Sequence, residues 1–374
     1  MDLRIIIPCY NEPDILSTIQ SLFACKKDNF GVEIIIVVNS YEISPLEIKK
    51  LNRKTFRDLQ EYARINNRPD FFLSPMLEEN LPGHQTGAGF PRKIGMDKAA
   101  ELFRKEENKG GIIVSLDADT IVEENYLVEI YHSFKKYKLK SATIEFHHPT
   151  EHLDENNVIR KATEVYEEYL RYYRDALEYI GYPYAYYTIG SAFAVTAEIY
   201  RQVGGMGKQQ AGEDFYFLQK VFPLAKTKFI RTTQVYPAAR ISNRVPFGTG
   251  PAIAKMIEEK EIKKLSYRVD AFSELKFFFS QIDSFFKLSK EKIEPACSKL
   301  PAHLQQFLEE DDFLNKIDEI NQNTGNLINF KKRFFSYFTA FKILKYLNFV
   351  HPSIYELADV KEEYIKLKEI LRLH

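Results

Sequence analysis

Residues Gly110–Tyr126 read GGIIVSLDADTIVEENY and decide the fold. The apolar run from Ile112 to Leu116 predicts a fully buried strand that stops at Asp117-Ala118-Asp119. Side chains two positions apart in an extended chain share a face, so both carboxylates are expected to point into one space at a sheet edge. Carboxylate oxygens suit a hard divalent cation that shares its ligands with phosphates, although an Asp-x-Asp triplet also occurs by chance. The position directly after a buried strand favours a metal or phosphate site.

Strands and helices alternate around this stretch. Apolar runs at Leu3–Cys9 and Val32–Val38 predict two further buried strands, and each is followed by a helical pattern. Asn11 is expected to cap the first of these helices. A third short strand is predicted over 71–73, a long loop over 74–91, and a helix over 92–108. The alternation predicts an α/β fold with a mainly parallel sheet flanked by helices.

In such sheets, ligands bind at the carboxyl ends of the strands. We therefore expect three segments to line one crevice: Pro8 to Glu12, Asn39-Ser40, and Asp117 to Asp119. Beyond them, the pattern predicts a helix over 123–137, a strand over 141–146, a long helix over 152–179 and a strand over 185–195. A Gly-rich loop then precedes a helix that opens at Glu213-Asp214.

From residue 251 the sequence has helical periodicity and few strand signals. The prediction is a domain over 1–250 that binds the ligand, with a helical region over 251–374 packed on it. The Phe-rich stripes over 272–286 and 330–349 fit core packing or a dimer interface better than a membrane-facing surface, because Phe at helical spacing is ordinarily buried.

Composition narrows the class of protein. The 374 residues include 52 basic and 52 acidic side chains, which gives no general attraction to nucleic acid. The three cysteines have no metal-ligand spacing and fit a reducing compartment. The first strand starts within three residues of Met1 without a signal core, and no apolar run is long enough to span a bilayer. These features predict a cytoplasmic protein; peripheral contact with the inner face of a membrane and oligomerisation stay open.

Four motifs in their order along the chain resemble the family 2 glycosyltransferases of the GT-A fold. They are Ile7-Pro8-Cys9-Tyr10-Asn11-Glu12, Pro91-Arg92-Lys93-Ile94-Gly95, Leu116-Asp117-Ala118-Asp119, and Gly190-Ser191-Ala192-Phe193 leading to Gly212-Glu213-Asp214. Each motif alone is weak, but the ordered set covers about the first two thirds of the chain. The resemblance implies a GT-A, Rossmann-like sheet and transfer of a sugar from a nucleotide diphosphate donor to an acceptor hydroxyl, aided by Mg²⁺ or Mn²⁺.

The resemblance also implies roles for the residues of the Asp117–Asp119 segment. Asp119 is expected to ligate the metal, and Asp117 to face the donor's ribose or the metal's waters, with Ala118 beside the donor. A divalent ion that bridges the diphosphate oxygens would stabilise the charge that builds up on the leaving group.

Other donor contacts follow from the same resemblance. Pro8, Tyr10 and Glu12 are expected to line the nucleotide pocket, and Arg92 offers a planar donor fork for phosphate oxygens. Asn39 stands where the family commonly has an acidic residue that reads the base, so the identity of the nucleotide is left open. For Tyr10 and Arg92 the simpler alternatives are packing over the sheet edge and a solvated helix start.

The resemblance also places Asp214 at the position of the catalytic base, which takes the proton of the acceptor hydroxyl. The alternative is that Glu213 and Asp214 are simply a pair of acids at a helix start. The helix dipole would lower the basicity of a carboxylate there, so the role requires partial burial or a nearby negative charge. Glu213 supplies that charge or holds the acceptor. A single in-line displacement assisted by Asp214 predicts inversion at the anomeric carbon.

Two arginines and a Gly-rich turn at 239–250 could close over a diphosphate, which predicts donor contacts for Arg240 and Arg244; a surface connector is the alternative. The family's processive synthases carry a Gln-x-x-Arg-Trp element, which this chain lacks because it has no Trp. Together with the absence of membrane spans, this predicts a single-addition enzyme. The acceptor hydroxyl, of a saccharide or a lipid-linked compound, is left open. A sugar-1-phosphate nucleotidyltransferase and a catalytically silent nucleotide-sugar-binding protein stay as alternatives. The former normally has a Gly-rich loop after the first strand, and residues 8–13 contain no Gly.

Overall fold

A computed structural model describes residues 1–207, 212–240 and 248–372. The chain forms two compact units. One comprises residues 1–163 and 187–260, and the other comprises residues 164–186 and 261–374. The predicted boundary at residue 250, and the packing predicted for the helical region, stay predictions.

The first unit contains an eight-stranded mixed sheet. In chain order its strands are β1 (Leu3–Cys9), β2 (Val32–Tyr41), β3 (Phe71–Leu81), β4 (Ile112–Ser115), β5 (Thr120–Val122), β6 (Ser141–Phe146), β7 (Phe193–Thr196) and β8 (Thr227–Pro237). Across the sheet they lie in the order β3-β2-β1-β4-β7-β6-β8-β5. Four neighbouring pairs are parallel, and the three pairs β4–β7, β6–β7 and β5–β8 are antiparallel. The predicted α/β class with a mainly parallel sheet is confirmed.

In the described part of the chain, eight α-helices precede the second unit's helical segment: α1 (Ile15–Phe23), α2 (Leu46–Asn66), α3 (Gly89–Lys105), α4 (Tyr126–Tyr137), α5 (Val158–Tyr179), α6 (Ala197–Gln202), α7 (Glu213–Val221) and α8 (Thr249–Glu258). α5 starts in the first unit and continues from residue 164 in the second, and α8 follows β8. Every residue of β1, β2 and β4 is buried. This is the pattern of central strands that are covered on both faces, and it explains why their sequences are mainly apolar rather than alternating.

The structure corrects several predicted boundaries. Residues 74–81 were expected in a loop, but they extend β3, which lies at the edge of the sheet. Pro75 fits there because an edge strand leaves some N–H positions without a ladder partner. The strand expected over 185–195 is limited to Phe193–Thr196. Strands β5 and β8 were not predicted, and they pair with each other in antiparallel register.

The second unit is mainly helical. It contains α9 (Val269–Ser280), α10 (Lys290–Cys297), α11 (Ala302–Glu310), α12 (Phe313–Gln322), α13 (Leu327–Tyr337), α14 (Ala340–Val350) and α15 (Val360–Arg372). Two short strands, β9 (Leu265–Ser266) and β10 (Ala358–Asp359), pair in antiparallel orientation. The predicted helical C-terminal region is confirmed.

Phenylalanines form the core of this second unit. The ring centroid of Phe278 lies 5.4 Å from that of Phe313 and 5.7 Å from that of Phe338. Six side chains of the two Phe-rich stripes are fully or almost fully buried: Phe272, Phe278, Phe285, Phe330, Phe334 and Phe338. These six rings therefore pack inside the unit and do not face a membrane.

Among residues 1–207, 212–240 and 248–372, no helix combines the length and the apolar character that crossing a lipid bilayer requires.

Candidate active site

The candidate site lies where the parallel strands β2, β1 and β4 end. These three strands are neighbours in the sheet, and β1 is parallel to both of the others, so their carboxyl ends open at the same edge. The chain leaves β1 at Cys9 and β4 at Ser115, directly before the two motifs that the sequence singles out. The topology therefore brings these strand ends together at one edge of the sheet, as the strand-helix alternation predicts.

The Asp117–Asp119 segment is held on both sides by its backbone. It connects β4 to β5, and the Thr18 hydroxyl of α1 donates a hydrogen bond to the Ala118 carbonyl at 2.9 Å. The Ala238 N–H, just beyond β8, donates to the Asp119 carbonyl at 3.1 Å. Because the main chain is fixed from two directions, the side chains of Asp117 and Asp119 have defined positions.

Arg92 joins this segment to the start of α7. Its guanidinium donates to Asp117 Oδ1 at 2.5 Å and forms an ion pair with Glu213 Oε1. The arginine is 2% exposed and Glu213 is 5% exposed. A buried guanidinium between two carboxylates keeps α3, the Asp117 segment and α7 together, since separating them would leave buried charges without partners.

Arg240 makes the second bridge. Its guanidinium pairs with both carboxylate oxygens of Glu12 and donates to Asp119 Oδ2 at 2.7 Å. The side chain of Glu12 is 1% exposed and that of Asp119 is 23% exposed. Glu12, Asp117, Asp119 and Glu213 thus converge through two arginines, as the sequence motifs require if they form one cleft.

Asp214 is the titratable group with the clearest shift in this cluster. Desolvation and the neighbouring charge of Glu213 raise its pKa from 3.8 to about 7, against the opposing influence of Arg92. The Phe215 N–H donates to Asp214 Oδ1 at 2.7 Å. This is the combination of partial burial and a nearby negative charge that the base assignment demands, and it gives a carboxylate that titrates near neutral pH.

The opening loop turns sharply to present Glu12. Asn11 has a φ of 52°, in the left-handed region that asparagine tolerates better than most residues. Asn11 was expected to cap α1, and this is wrong, because the residue before the helix is Asp14. The Asn11 N–H instead donates to Asn52 Oδ1 at 3.1 Å, and the Asn52 amide donates to the Asn39 carbonyl at 2.6 Å. Asn52 therefore ties the loop to β2.

The predicted nucleotide contacts lie around this loop. Pro8 and Asn39 are buried in β1 and β2. The Tyr10 ring is partly exposed, its centroid lies 5.4 Å from that of Tyr41, and its hydroxyl is 3.3 Å from Ser44 Oγ. The nucleotide roles of Pro8, Tyr10, Glu12 and Asn39 stay predictions.

The phosphate roles of the arginines also stay predictions. Arg92 and Arg240 both hold carboxylates, as described above, which is a positioning role that the sequence did not indicate. Arg244 lies outside the described residues.

Two further residues, Thr18 and Gly190, support the site, and the sequence did not indicate their roles. Thr18 is one polar residue on an amphipathic helix, and nothing in the sequence marks its bond to Ala118. Gly190 belongs to the Gly190-Ser191-Ala192-Phe193 motif, but only the structure explains why this position requires a glycine. A Cβ at position 190 would lie 2.8–3.0 Å from the guanidinium of Arg92. The Gly190 carbonyl accepts a bond from Ser115 Oγ at 2.6 Å, which fixes it to β4.

Replacing Gly190 with Ala is therefore expected to displace the Arg92 guanidinium, because a contact below 3.0 Å cannot be accommodated without movement. We expect the free energy of unfolding to fall by about 1–3 kcal/mol and turnover to fall about tenfold. Urea unfolding and steady-state kinetics measure the two effects. Gly110→Ala is the matched control, because its Cβ would meet only the Asn108 side chain at 3.8 Å. Equal behaviour of the two variants would contradict the packing role of Gly190.

The carboxylates offer the hard oxygen donors that Mg²⁺ and Mn²⁺ prefer. Within the part of the chain that the structure describes, no group of three or more His, Cys, Asp or Glu side chains is arranged to hold a metal ion. Asp117 and Asp119 are both partly exposed. The donor set therefore fits an ion that takes one or two protein carboxylates and completes its shell with water and substrate phosphates.

Comparison with known proteins gives matches among solved structures only, since no family profile and no curated sequence matches the chain. S. aureus TarS 1–349 in complex with UDP-GlcNAc is 12% identical, over 88% of this chain and 89% of that chain, with a TM-score of 0.45. A further structure of TarS 1–349 is 13% identical, over 93% of this chain and 90% of that chain, with a TM-score of 0.44. The complex of TarS 1–349 with UDP is 14% identical, over 82% of this chain and 77% of that chain, with a TM-score of 0.42.

TarS is a family 2 glycosyltransferase of the GT-A fold. At identities of 12–14%, the likeness between this chain and these structures is one of fold alone.

Proposed function

We propose that the first unit is a glycosyltransferase that moves a sugar from a nucleotide diphosphate donor to an acceptor hydroxyl. One observation carries the proposal: Asp214, a carboxylate with a pKa raised to about 7, lies beside Glu213, which Arg92 ties to Asp117. A carboxylate that accepts protons near neutral pH is thus held next to the Asp117–Asp119 segment, at the edge where the parallel strands end. Acceptor activation needs the carboxylate, and donor binding needs the segment.

Asp214 is the proposed general base. The acceptor oxygen attacks the anomeric carbon and forms the new C–O bond, while the bond from that carbon to the nucleoside diphosphate breaks. The acceptor proton passes to the Asp214 carboxylate, and the electron pair of the broken bond leaves with the diphosphate. One in-line displacement inverts the anomeric configuration. A pKa near the working pH is the best compromise between being deprotonated and being basic.

Asp119, with Asp117, is proposed to hold a Mg²⁺ or Mn²⁺ ion. When bound, such an ion supplies Lewis-acid stabilisation to the diphosphate leaving group. Glu213 is proposed to hold the acceptor, in addition to its bond with Arg92. Pro8, Tyr10, Asn39 and Ala118 are proposed to line the donor pocket.

The nucleotide and the acceptor are proposed only by class. UDP-sugars are the first donors to test, since the similar TarS structures contain UDP-GlcNAc and UDP. The acceptor is proposed to be a saccharide or a lipid-linked hydroxyl compound, and the addition to be single rather than processive. We also propose a cytoplasmic enzyme that can contact the inner face of a membrane.

Donor hydrolysis tests this function. The full chain is incubated with UDP-, GDP- and dTDP-sugars in Mn²⁺, and release of the nucleoside diphosphate is measured. We expect turnover of at least one donor, reduced about 100-fold or more when EDTA removes the metal, because Lewis-acid stabilisation of the leaving group is worth several kcal/mol.

Two outcomes would contradict the proposal. Nucleotide-sugar binding without turnover of any donor, even with sugar and lipid acceptors added, would favour a silent binding protein. Release of pyrophosphate from a nucleoside triphosphate and a sugar 1-phosphate would favour a nucleotidyltransferase.

A further inference from the structure

Arg240 lies beside the Asp117–Asp119 segment, at a position set by strand pairing. It follows β8, which pairs with β5 from Thr120 to Val122, so the end of β8 runs beside the Asp117–Asp119 segment. The bond from Ala238 N–H to the Asp119 carbonyl continues this pairing one step beyond the strand. Arg240 is two residues further on, and its guanidinium reaches Asp119 and Glu12.

The guanidinium occupies one oxygen of Asp119 that a metal ion would use. It donates to Asp119 Oδ2 at 2.7 Å, and a Mg²⁺ ion would bind such an oxygen at about 2.0–2.1 Å. Two cations on one carboxylate repel each other strongly where solvent screening is weak. Glu12 is 1% exposed in its side chain, so it needs a positive partner in the folded protein.

We propose that Arg240 and the divalent cation are alternative counter-ions of Asp119, so that Arg240 weakens metal binding to the donor-free protein. The inference depends on the proposed function, which supplies the identity of the ion. In the donor-free protein Arg240 neutralises Asp119 and Glu12. A metal ion that binds Asp119 through Oδ2 must displace the guanidinium, and the free energy of that ion pair is then subtracted from the free energy of metal binding.

The test measures Mn²⁺ binding to the full chain without nucleotide. The readout is the loss of the free-ion signal in electron paramagnetic resonance as Mn²⁺ binds. Arg240→Gln removes the competing charge and is expected to bind Mn²⁺ about tenfold more tightly than the wild type, the equivalent of losing one charge-assisted hydrogen bond. Arg240→Lys keeps the charge and is expected to stay within about twofold of the wild type. Arg104→Gln is the matched control, because Arg104 pairs with Glu101 in an exposed arginine–glutamate bridge elsewhere on the unit.

Far-UV circular dichroism and thermal unfolding check that each variant is folded. Should Arg240→Gln not fold, Arg240→Ala is measured in the same assay. Mn²⁺ affinity that is equal to or weaker than that of the wild type in the charge-removing variant overturns the proposal, and so does an absence of Mn²⁺ binding in both proteins. The transferase function is decided by donor turnover instead. A chain that shows the Mn²⁺ effect and turns over no donor keeps the counter-ion role and loses the transferase role.

Discussion

Asp214→Asn is expected to lower turnover by about a thousandfold, with donor affinity nearly unchanged. Asparagine keeps the shape of the side chain but cannot accept the acceptor's proton, and general base catalysis contributes about 10²–10⁴-fold. Steady-state kinetics with the donor found by the hydrolysis screen gives turnover. Isothermal titration with the nucleoside diphosphate gives affinity.

The pH profile of the wild type gives a second readout of the same residue. Asp214 must be ionised to act as a base, so kcat/KM is expected to rise with pH and to level off above the pKa of about 7. The residual activity of Asp214→Asn should lack this limb. Asp70→Asn makes the same chemical change at an exposed carboxylate that pairs with Lys27, and it should keep the wild-type profile.

Asp214→Asn should raise the free energy of unfolding at alkaline pH although it lowers turnover. The pKa of Asp214 is raised from 3.8 to about 7 in the folded protein. The folded state therefore retains a proton that the unfolded state has lost, and the stability that this proton provides is lost as pH rises from about 4 to about 7. At pH 8, Asp214→Asn should thus raise the free energy of unfolding by about 1–2 kcal/mol, a figure reduced because the side chain is partly exposed. A variant that loses activity and also loses stability at pH 8 would contradict the assignment of Asp214 as a base with a raised pKa.

The central strands could be predicted from sequence because burial on both faces leaves a simple signal. Leu3–Cys9, Val32–Val38 and Ile112–Ser115 are mainly apolar runs bounded by polar or turn residues. The missed strands lack that signal. β8 reads TKFIRTTQVYP and alternates only in part, and β5 has three residues, so neither stands out from a loop. Pro75 made the end of β3 resemble a loop, although an edge strand tolerates proline.

The acidic residues of the site could be predicted because their spacing and their position after strands are local features. The arginine bridges could not. Arg92 and Glu213 are 121 residues apart in sequence, and Arg240 and Glu12 are 228 apart. Such pairs depend on strand order, and no local pattern records them. The same holds for Gly190, whose lack of a side chain is required by an arginine on another element.

Arg92→Gln is expected to lower the free energy of unfolding by about 3–5 kcal/mol, the cost of leaving a buried carboxylate without its partner. Glu213 is 5% exposed, so the substitution leaves it buried with no guanidinium beside it. Urea unfolding at pH 8 measures the change. Lys93→Gln is the matched control at the next position, because Lys93 pairs with Asp97 in a bridge between neighbouring turns of α3, and exposed pairs of this kind are worth about 0–1 kcal/mol. A loss of less than about 1 kcal/mol in Arg92→Gln would contradict the bridging role.

The double variant Arg92→Gln/Glu213→Gln distinguishes two roles of Arg92. One is an ion-pair bridge between carboxylates, and the other is contact with the phosphates of the donor. If the loss in Arg92→Gln comes from the unpaired Glu213 charge, removing that charge should restore about half or more of the stability, which is a large coupling between contacting residues. A phosphate-binding role makes a different prediction. Arg92→Gln would then weaken donor binding and leave the stability of the donor-free protein unchanged, since the charge would meet its partner only in the complex. The two carboxylates already within hydrogen-bonding distance of the guanidinium favour the first result.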